Sequence, residues 1–343
     1  MSETENKTFT IDQVPEPADL RNVIYSMVAI PHLSPVNIFN EFASPAIDPT
    51  QVGKEDLSSA GTFQIDEDGK LFSQTIYADY RRLAVDPYVA AQIIVAKAVR
   101  RLVCSGAEPV SLSAFLNNVE FASPIAEEMV MAARLGLDTA ATAFNLQFPN
   151  RKIFYDYSDG KNLIPPTLIV SIVGKIKNQE RILTSRLKQK GHNILLIGRS
   201  LNDINASEYL DHFHEITDWP LMHFNLAFES KLMQVMKELI DKDLVVSASP
   251  VGIGGLFFTL LRDALPNELG FDITTDAEIR SDAFLFGEGM GRIVVTVEEE
   301  KEEEFVDFLF DRKIPVMTLG HITKGEIRID DKSLGFVDKG IVG

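Results

Sequence analysis

Runs of apolar and polar residues divide this chain into a mixture of predicted helices and strands. The stretch from Asp86 to Pro109 begins with Asp86 and Pro87, which are typical first-turn helix residues. Apolar residues then recur at helical spacing on one face: Ala91, Val95, Val99 and Leu102. The small residues of Ser105 to Pro109 end the pattern, so the sequence predicts a helix that leads into a tight turn.

Several other segments have equally clear patterns. The residues around Asp68 and Gly69 predict a hairpin, and residues 167–176, 193–200 and 293–297 predict strands. Residues 223–242 and the acidic segment 298–313 predict amphipathic helices, the latter with its acidic start at the positive end of the helix dipole. Strands and helices alternate in two blocks without a short-period repeat, which predicts an α/β or α+β fold.

The two blocks predict two domains behind a short tail. Residues 1–19 are polar and interrupted by prolines, which is typical of a flexible segment. Residues 20–177 form the first predicted domain and residues 178–343 the second. A basic, polar join at about 177–192 separates them.

Composition excludes several classes of protein. The chain has 343 residues, 45% of them hydrophobic, with 33 Lys and Arg against 50 Asp and Glu, a net charge of −17. Nucleic-acid binding proteins concentrate positive charge, so nucleic acid is not an expected partner. The single cysteine, Cys104, excludes an intrachain disulfide. Without a signal-peptide pattern or a membrane-length apolar run, we expect a soluble cytoplasmic protein and no membrane partner.

Ordered sequence blocks link the chain to one enzyme family. DPYVAAQIIVAKAVRRLVCSGAEP resembles the Asp-Pro-Tyr helix and Cys-x-Gly-Ala-Glu-Pro turn of formylglycinamide ribonucleotide amidotransferase (FGAM synthase) of purine biosynthesis. Further blocks follow in the family's order: PHLSPVNIFNEF near the start, SEYL at 207–210, GIGGL at 252–256 and LFGEGMGR at 285–292. The resemblance covers about residues 20–335 and is to the second half of the synthetase.

The resemblance implies a fold, ligands and partners. It implies an AIR synthase-like two-domain fold, with an N-terminal mixed domain that closes a β-barrel across a dimer and a C-terminal α/β domain. It also implies ATP-dependent amidation of formylglycinamide ribonucleotide, with ATP and Mg²⁺ as cofactors. An isolated half is expected to form a homodimer and to work with a separate glutaminase or other FGAM synthase subunits.

The chain departs from the family where Mg²⁺ would be held. Four acidic positions of the family's motifs correspond here to Tyr77, Ser59, the Ser113–Asn117 block and the Ala248–Leu256 block, all without the expected carboxylates. The last block also lacks the family's histidine. Carboxylates normally neutralise and orient a bound triphosphate through Mg²⁺. The sequence therefore predicts a retained fold with changed or lost metal chemistry.

Some ligand-binding positions remain. Arg81 survives in its motif, and the binding candidates by resemblance are Arg81, Asn117, Asn145, Ser207, Glu208, Gly254 and Gly255. For the loop at Ser207 and Glu208, a structural turn and a ligand-binding loop are equally favoured interpretations. The paired glycines are interpreted chiefly as a packing device before a helix, and either asparagine could satisfy a turn.

No metal site is predicted from sequence. Glu288 is the weak metal candidate, and a surface turn is its simpler interpretation. His212 and His214 could offer two ligands on one strand face, but no third ligand is visible, so they are interpreted as ordinary histidines. Cys104 is interpreted as a small buried hydrophobe rather than a nucleophile.

Three functions stay open at this point. The first is an active FGAM synthase half, and the second is a non-catalytic structural or regulatory subunit of the same superfamily. The third is another activity within a superfamily that resembles aminoimidazole ribonucleotide synthase, selenophosphate synthetase and thiamine-monophosphate kinase. The missing acids count against the first and third, because all these activities depend on carboxylate-held Mg²⁺.

Overall fold

The computed structural model describes residues 10–34, 61–64, 70–120, 124–149, 153–158, 165–217 and 219–337. Strands β1 to β5 form one sheet: Gly61–Gln64, Leu71–Asp79, Glu108–Glu120, Ile153–Ser158 and Thr167–Ile176. Strands β6 to β12 form a second: Asn193–Ile197, Ser247–Pro250, Gly270–Ile273, Ile293–Val297, Val316–Thr323, Glu326–Ile329 and Lys332–Phe336.

Eight α-helices accompany these sheets in the described residues. Helices α1 to α4 are Leu20–Val28, Arg81–Val85, Pro87–Cys104 and Pro124–Ala143. Helices α5 to α8 are Leu226–Asp241, Gly255–Ala264, Ser281–Phe286 and Glu302–Asp311. Short 3-10 turns lie at Ile11–Gln13, Gln179–Arg181, Leu265–Asn267 and Glu299–Lys301, and Tyr209–Phe213 forms a single π-helical turn.

Both sheets are mixed. The first has the order β1-β2-β5-β3-β4 and is antiparallel except for the pair β3–β4. The second has the order β12-β11-β8-β10-β6-β9-β7 and is antiparallel except for β8–β11. The predicted hairpin is confirmed by the β1–β2 pairing, although its turn at Asp68 and Gly69 lies outside the described residues.

Helix α3 lies at the centre of the molecule. Asp86 caps it by accepting a hydrogen bond from the backbone of Val89 at 3.0 Å, and Pro87 occupies its first turn, as predicted. The helix packs against β2 and β5 of the first sheet and against α5 and β7 of the second half. It is therefore buried on nearly every side rather than on the one predicted face.

The second sheet is covered on both faces. In β6, Leu195 and Ile197 join the core shared with α3, α5 and the first sheet, whereas Ile194 and Leu196 join the core formed with α6 and α7. A strand buried on both faces appears in sequence as an unbroken apolar run, which is the NILLI pattern. The predicted strand 193–200 ends early, at Ile197, where Gly198 turns the chain with φ of +99°.

The N-terminal segment packs against the second sheet's core. Val23, Ile24 and Met27 of α1 are buried in that core. Of the predicted flexible tail, residues 1–9 lie outside the described residues, and Ile11 and Val14 contact the second half. Arg280 donates hydrogen bonds of 2.8 Å to the carbonyls of Ile11 and Val14. The limits 20–177 and 178–343 stay predictions; the first sheet ends at Ile176 and the second begins at Asn193.

No helix in the described residues combines the length and the apolar character needed to cross a membrane.

Candidate functional site

Three basic side chains cluster around Tyr77 between the two halves. Lys97 and Arg101, one helical turn apart on α3, place Nζ and Cζ 5.5 and 5.3 Å from the centre of the Tyr77 ring. Arg262 of α6 interacts electrostatically with both Arg101 and Tyr77. Burial lowers the pKa of Arg262, Asp263 raises it, and the charge of Arg101 lowers it further.

Lys97 is the least satisfied member of this cluster. The residue is only 6% exposed, and among the described residues its ammonium has no hydrogen-bond partner. Glu229 interacts with it electrostatically, but Glu229 is engaged elsewhere, 3.3 Å from Nε of Arg100. A buried charge without a hydrogen-bonding partner is costly, so an anion at this position would be stabilising.

Glu288 connects two loops that the sequence treats separately. Its Oε1 accepts hydrogen bonds from the backbone nitrogens of Glu208 at 2.9 Å and Gly254 at 3.0 Å. Its Oε2 lies 3.6 Å from Nη2 of Arg82. The residue is 4% exposed, so its interpretation as a surface turn was wrong. The carboxylate is used in holding the Glu208 loop against the start of α6.

The paired glycines are a close-packing device. Gly254 and Gly255 have φ of +81° and +76°, which favours glycine. A Cβ on Gly255 would lie 2.6 Å from the carbonyl oxygen of Leu285. The Gly254 nitrogen donates to Glu288, and the Gly255 nitrogen donates to Gly252 at 3.0 Å. These two groups are therefore not free to bind phosphate, and the packing interpretation agrees with the geometry.

Arg81 and Glu208 lie together, as members of one charged cluster. Nη1 of Arg81 is 3.2 Å from Oε1 of Glu208 and 2.8 Å from Oδ2 of Asp211. Oε2 of Glu208 faces two histidines, with Nε2 of His32 at 3.1 Å and Nε2 of His212 at 2.9 Å. His212 and His214 do not lie side by side as a pair of possible metal ligands. Nε2 of His214 is instead 2.8 Å from the Tyr209 hydroxyl.

The other predicted residues lie apart from this cluster or serve local structure. Ser207 is fully buried; its hydroxyl donates to the carbonyl of Ile204 and accepts from the nitrogen of Leu210, so it stabilises a turn. Asn145 is exposed with φ of +54° at the end of α4, a common position for asparagine. Asn117 is half-buried on β3, opposite Thr167 of β5.

A separate basic cavity of about 370 Å³ was missed by the sequence analysis. Arg199, His223 and Lys313 line it together with Phe228 and Glu229. Its basic residues come from separate stretches of chain without a shared motif, so no local pattern could have identified them. Glu229 also joins this cavity to α3 through its ion pair with Arg100.

Cys104 and Asp263 are buried titratable groups near this core. Burial raises the pKa of the Cys104 thiol to about 12, which makes it unreactive. Burial likewise raises the pKa of Asp263 to about 7, against the lowering effects of Arg262 and of hydrogen bonds from Ser249 and Ser185. The interpretation of Cys104 as a small buried side chain agrees with its 1% exposure.

Comparisons with known proteins agree with the motifs. Residues 189–332 match the family described as AIR synthase related protein, C-terminal domain. The chain is 28% identical over 329 residues to phosphoribosylformylglycinamidine synthase subunit PurL of Alkaliphilus metalliredigens, covering 95% of this chain and 44% of that protein. It is 30% identical over 296 residues to PurL of Prochlorococcus marinus, covering 77% of this chain and 36% of that protein.

Solved structures share the fold. The structure of T. maritima PurL complexed with FGAR superposes with a TM-score of 0.74 at 13% identity, covering 95% of this chain and 54% of that one. T. maritima PurL complexed with AMPPCP gives a TM-score of 0.69 at 14% identity, covering 96% of this chain and 52% of that one. The chain spans less than half the length of these two curated relatives.

Fold and sequence together indicate the class: residues 189–332 belong to the AIR synthase-related family, as the sequence motifs predicted, and the chain shares the fold of PurL. Within that class it is FGAM synthase-like, with nearly its whole length related to PurL.

Proposed function

We propose that this chain is an FGAM synthase-like subunit that binds a phosphate-bearing ligand without a divalent metal and has lost the amidation activity. T. maritima PurL has been solved in complexes with ATP, ADP and AMPPCP. The relationship to PurL supports an ATP-type ligand for this chain. The basic side chains around Tyr77 support a different way of holding it.

The observation that carries the proposal is the buried ammonium of Lys97 beside Tyr77, which has no hydrogen-bond partner in the described part of the chain. The resemblance assigns an acidic residue to the position of Tyr77, and Lys97 and Arg101 both approach the ring at that position. A metal-binding carboxylate is thus replaced by an aromatic residue flanked by two cations. Side-chain cations can neutralise a phosphate directly, as Mg²⁺ does in the metal-dependent enzymes.

Arg262 extends the positive charge toward the start of α6. Its guanidinium donates to the carbonyls of Phe258 at 3.1 Å and Ile253 at 3.4 Å, so it is fixed in place. Its repulsion with Arg101 raises the cost of the ligand-free state. An anion between these groups would remove that cost and satisfy Lys97.

Calorimetry with ATP in EDTA tests the binding part of the proposal. We expect binding without Mg²⁺ and a loss of affinity as salt concentration rises. Lys97→Met should weaken binding roughly 10- to 100-fold, because a charge-assisted hydrogen bond is lost. The matched control is Lys175→Met, at an exposed lysine of β5 that should leave affinity unchanged. Binding that strictly requires Mg²⁺ would contradict the proposal.

A separate assay tests the loss of catalysis. The purified chain is supplied with formylglycinamide ribonucleotide, ATP, Mg²⁺ and ammonium, and product formation is measured. We expect no turnover above background, because the four acidic positions lack carboxylates. Turnover would instead support the first hypothesis, an active synthetase half.

We propose that the first sheet pairs with the same sheet of a second copy of the chain. One face of this sheet lacks helical cover in the described residues and carries Ile76 and Phe115, which are 60% and 37% exposed, beside half-buried Ile169 and Val173. The resemblance implies a β-barrel closed by this face across a dimer. Light scattering should give a dimer, and Ile76→Asp should give a monomer. Leu135→Asp on the exposed face of α4 is the control.

The proposed partner subunits and the proposed cellular location are supported only by the similarity to PurL. A structure of PurLQS from Thermotoga maritima superposes with a TM-score of 0.66. A glutaminase or other FGAM synthase subunits are therefore proposed partners, and a cytoplasmic location is proposed from the purine-biosynthesis relatives. Co-purification of the tagged chain with these subunits from its own cells tests the first of these.

A further inference from the structure

His32, Glu208 and His212 bring three potential metal ligands together, one from the N-terminal segment and two from the region of the π-helical turn. His32 follows α1, Glu208 precedes the π-helical turn, and His212 lies within it. Their ligand atoms all lie within 4.8 Å of one another, and among the described residues this is the group with metal-binding geometry. We propose that they form a binding site for Zn²⁺ or a similar transition-metal dication.

The contacts suit a metal ligand better than ordinary hydrogen bonds. Two Nε2 atoms approach the same oxygen, Oε2 of Glu208, at 3.1 and 2.9 Å. That oxygen is buried, yet within the described part of the chain it has no hydrogen-bond partner of acceptable geometry. A buried carboxylate oxygen without a satisfactory hydrogen-bond partner needs an explanation, and a bound cation shared with the two imidazoles supplies one.

The surrounding charges are compatible with a dication. Arg81 lies 3.2 Å from the other carboxylate oxygen of Glu208, so Oε1 is engaged and Oε2 is left facing the histidines. Asp211 adds a second carboxylate, with Oδ2 3.9 Å from Nε2 of His212. With neutral histidines, two carboxylates and one arginine leave a net negative charge for the incoming metal.

Ligand type and access indicate which metal would bind. Two imidazoles and one carboxylate are a common zinc ligand set with a fourth position open to water, whereas Mg²⁺ prefers oxygen ligands. The His32 and His212 side chains are 48% and 39% exposed, so an ion can enter from solvent. A bound metal would join the N-terminal segment to the π-helical turn beside Arg81.

Zinc titration of the full chain tests this site independently of the proposed nucleotide function. Competition with a chromophoric chelator should give one tightly bound Zn²⁺ per chain and a higher melting temperature. His32→Ala and His212→Ala should each weaken Zn²⁺ binding at least about 10-fold, since each removes one of three ligands. His321→Ala, at an exposed histidine of β10, is the matched control and should bind like the wild type.

X-ray absorption and circular dichroism complete the test. The zinc spectrum should show two imidazole ligands in the wild type and one in either variant. Circular dichroism verifies that the variants fold, which is expected because both histidines are partly exposed. If Zn²⁺ does not bind, or binds equally well to both histidine variants, the proposal is overturned.

Discussion

Oε1 of Glu288 lies 3.0 Å from the backbone nitrogen of Gly254, so a carboxylate from the LFGEGMGR block caps the start of α6. The same oxygen accepts from the nitrogen of Glu208. One buried side chain therefore aligns two loops of the FGAM synthase-like half.

Replacing Glu288 by alanine should destabilise the protein. One buried and one partly buried backbone donor would lose their acceptor, and Arg82 would lose part of its charge compensation, at a cost of roughly 2–4 kcal/mol. Glu288→Gln retains an acceptor oxygen and should cost less. Urea unfolding of both variants measures the difference. Equal stability of Glu288→Ala and the wild type would show that the cap contributes nothing.

Gly255→Ala should destabilise the start of α6. The new Cβ would meet the Leu285 carbonyl oxygen at 2.6 Å, and alanine would be forced to a φ of +76°. Together these effects should lower the free energy of unfolding by roughly 2–4 kcal/mol. Gly289→Ala is the control, because a Cβ there has no atom within 4 Å among the described residues. Both variants are compared by thermal and urea unfolding.

Breaking the buried pair of Arg100 and Glu229 should be costly. Both side chains are 1% exposed, with Nε and Oε2 3.3 Å apart. Arg100→Met would leave the Glu229 carboxylate without its main partner, at a cost of roughly 3–5 kcal/mol. Lys177→Met removes an exposed pair with Glu108 that is shorter, at 2.6 Å, and should cost under about 1 kcal/mol.

A double-mutant cycle separates the pair from its surroundings. Arg100→Met combined with Glu229→Leu removes both charges and should be less destabilised than the sum of the single variants. Strict additivity in urea unfolding would contradict a direct coupling between the two residues.

Asp263 should make stability depend on pH. Its pKa is about 7 in the folded protein against an ordinary value of 3.8. Below pH 3.8 the carboxyl is protonated in both the folded and the unfolded state, so its burial costs no ionisation energy. As pH rises through about 7, folding stability is lost because the folded state resists ionising this group. Asp263→Asn should therefore stabilise the protein at pH 8, by roughly 1–3 kcal/mol, with the gain vanishing near pH 4. Urea unfolding at both pH values measures it; a gain independent of pH would contradict this cause.

Local patterns predicted the regular elements well. The capped helix after Asp86, strand β5 and strand β9 follow from signals carried by neighbouring residues, as do the fold class and the family. The full burial of α3 was not predictable in the same way. It depends on α3 being enclosed between the two halves, which the spacing of its own apolar residues does not encode.

The candidate site was likewise predictable only in part. Sequence identified Arg81, Glu208 and the paired glycines as candidates, but it separated Glu288 from the two loops that it joins. It also interpreted His212 as an ordinary histidine and gave no role to His32, Lys97 or Arg199. Each of these roles depends on contacts between residues far apart in the chain.

The sequence by itself determined the relationship to PurL and the alternation of strands and helices, while the missing acidic side chains stay a prediction from its motifs. Those properties depend on residue identity and on spacings of a few residues. Tertiary structure decided that Lys97 is buried with no hydrogen-bond partner among the described residues, that Glu288 is a cap, and that His32 meets His212. Burial and charge compensation depend on which distant segments come together, so only the packed chain defines them.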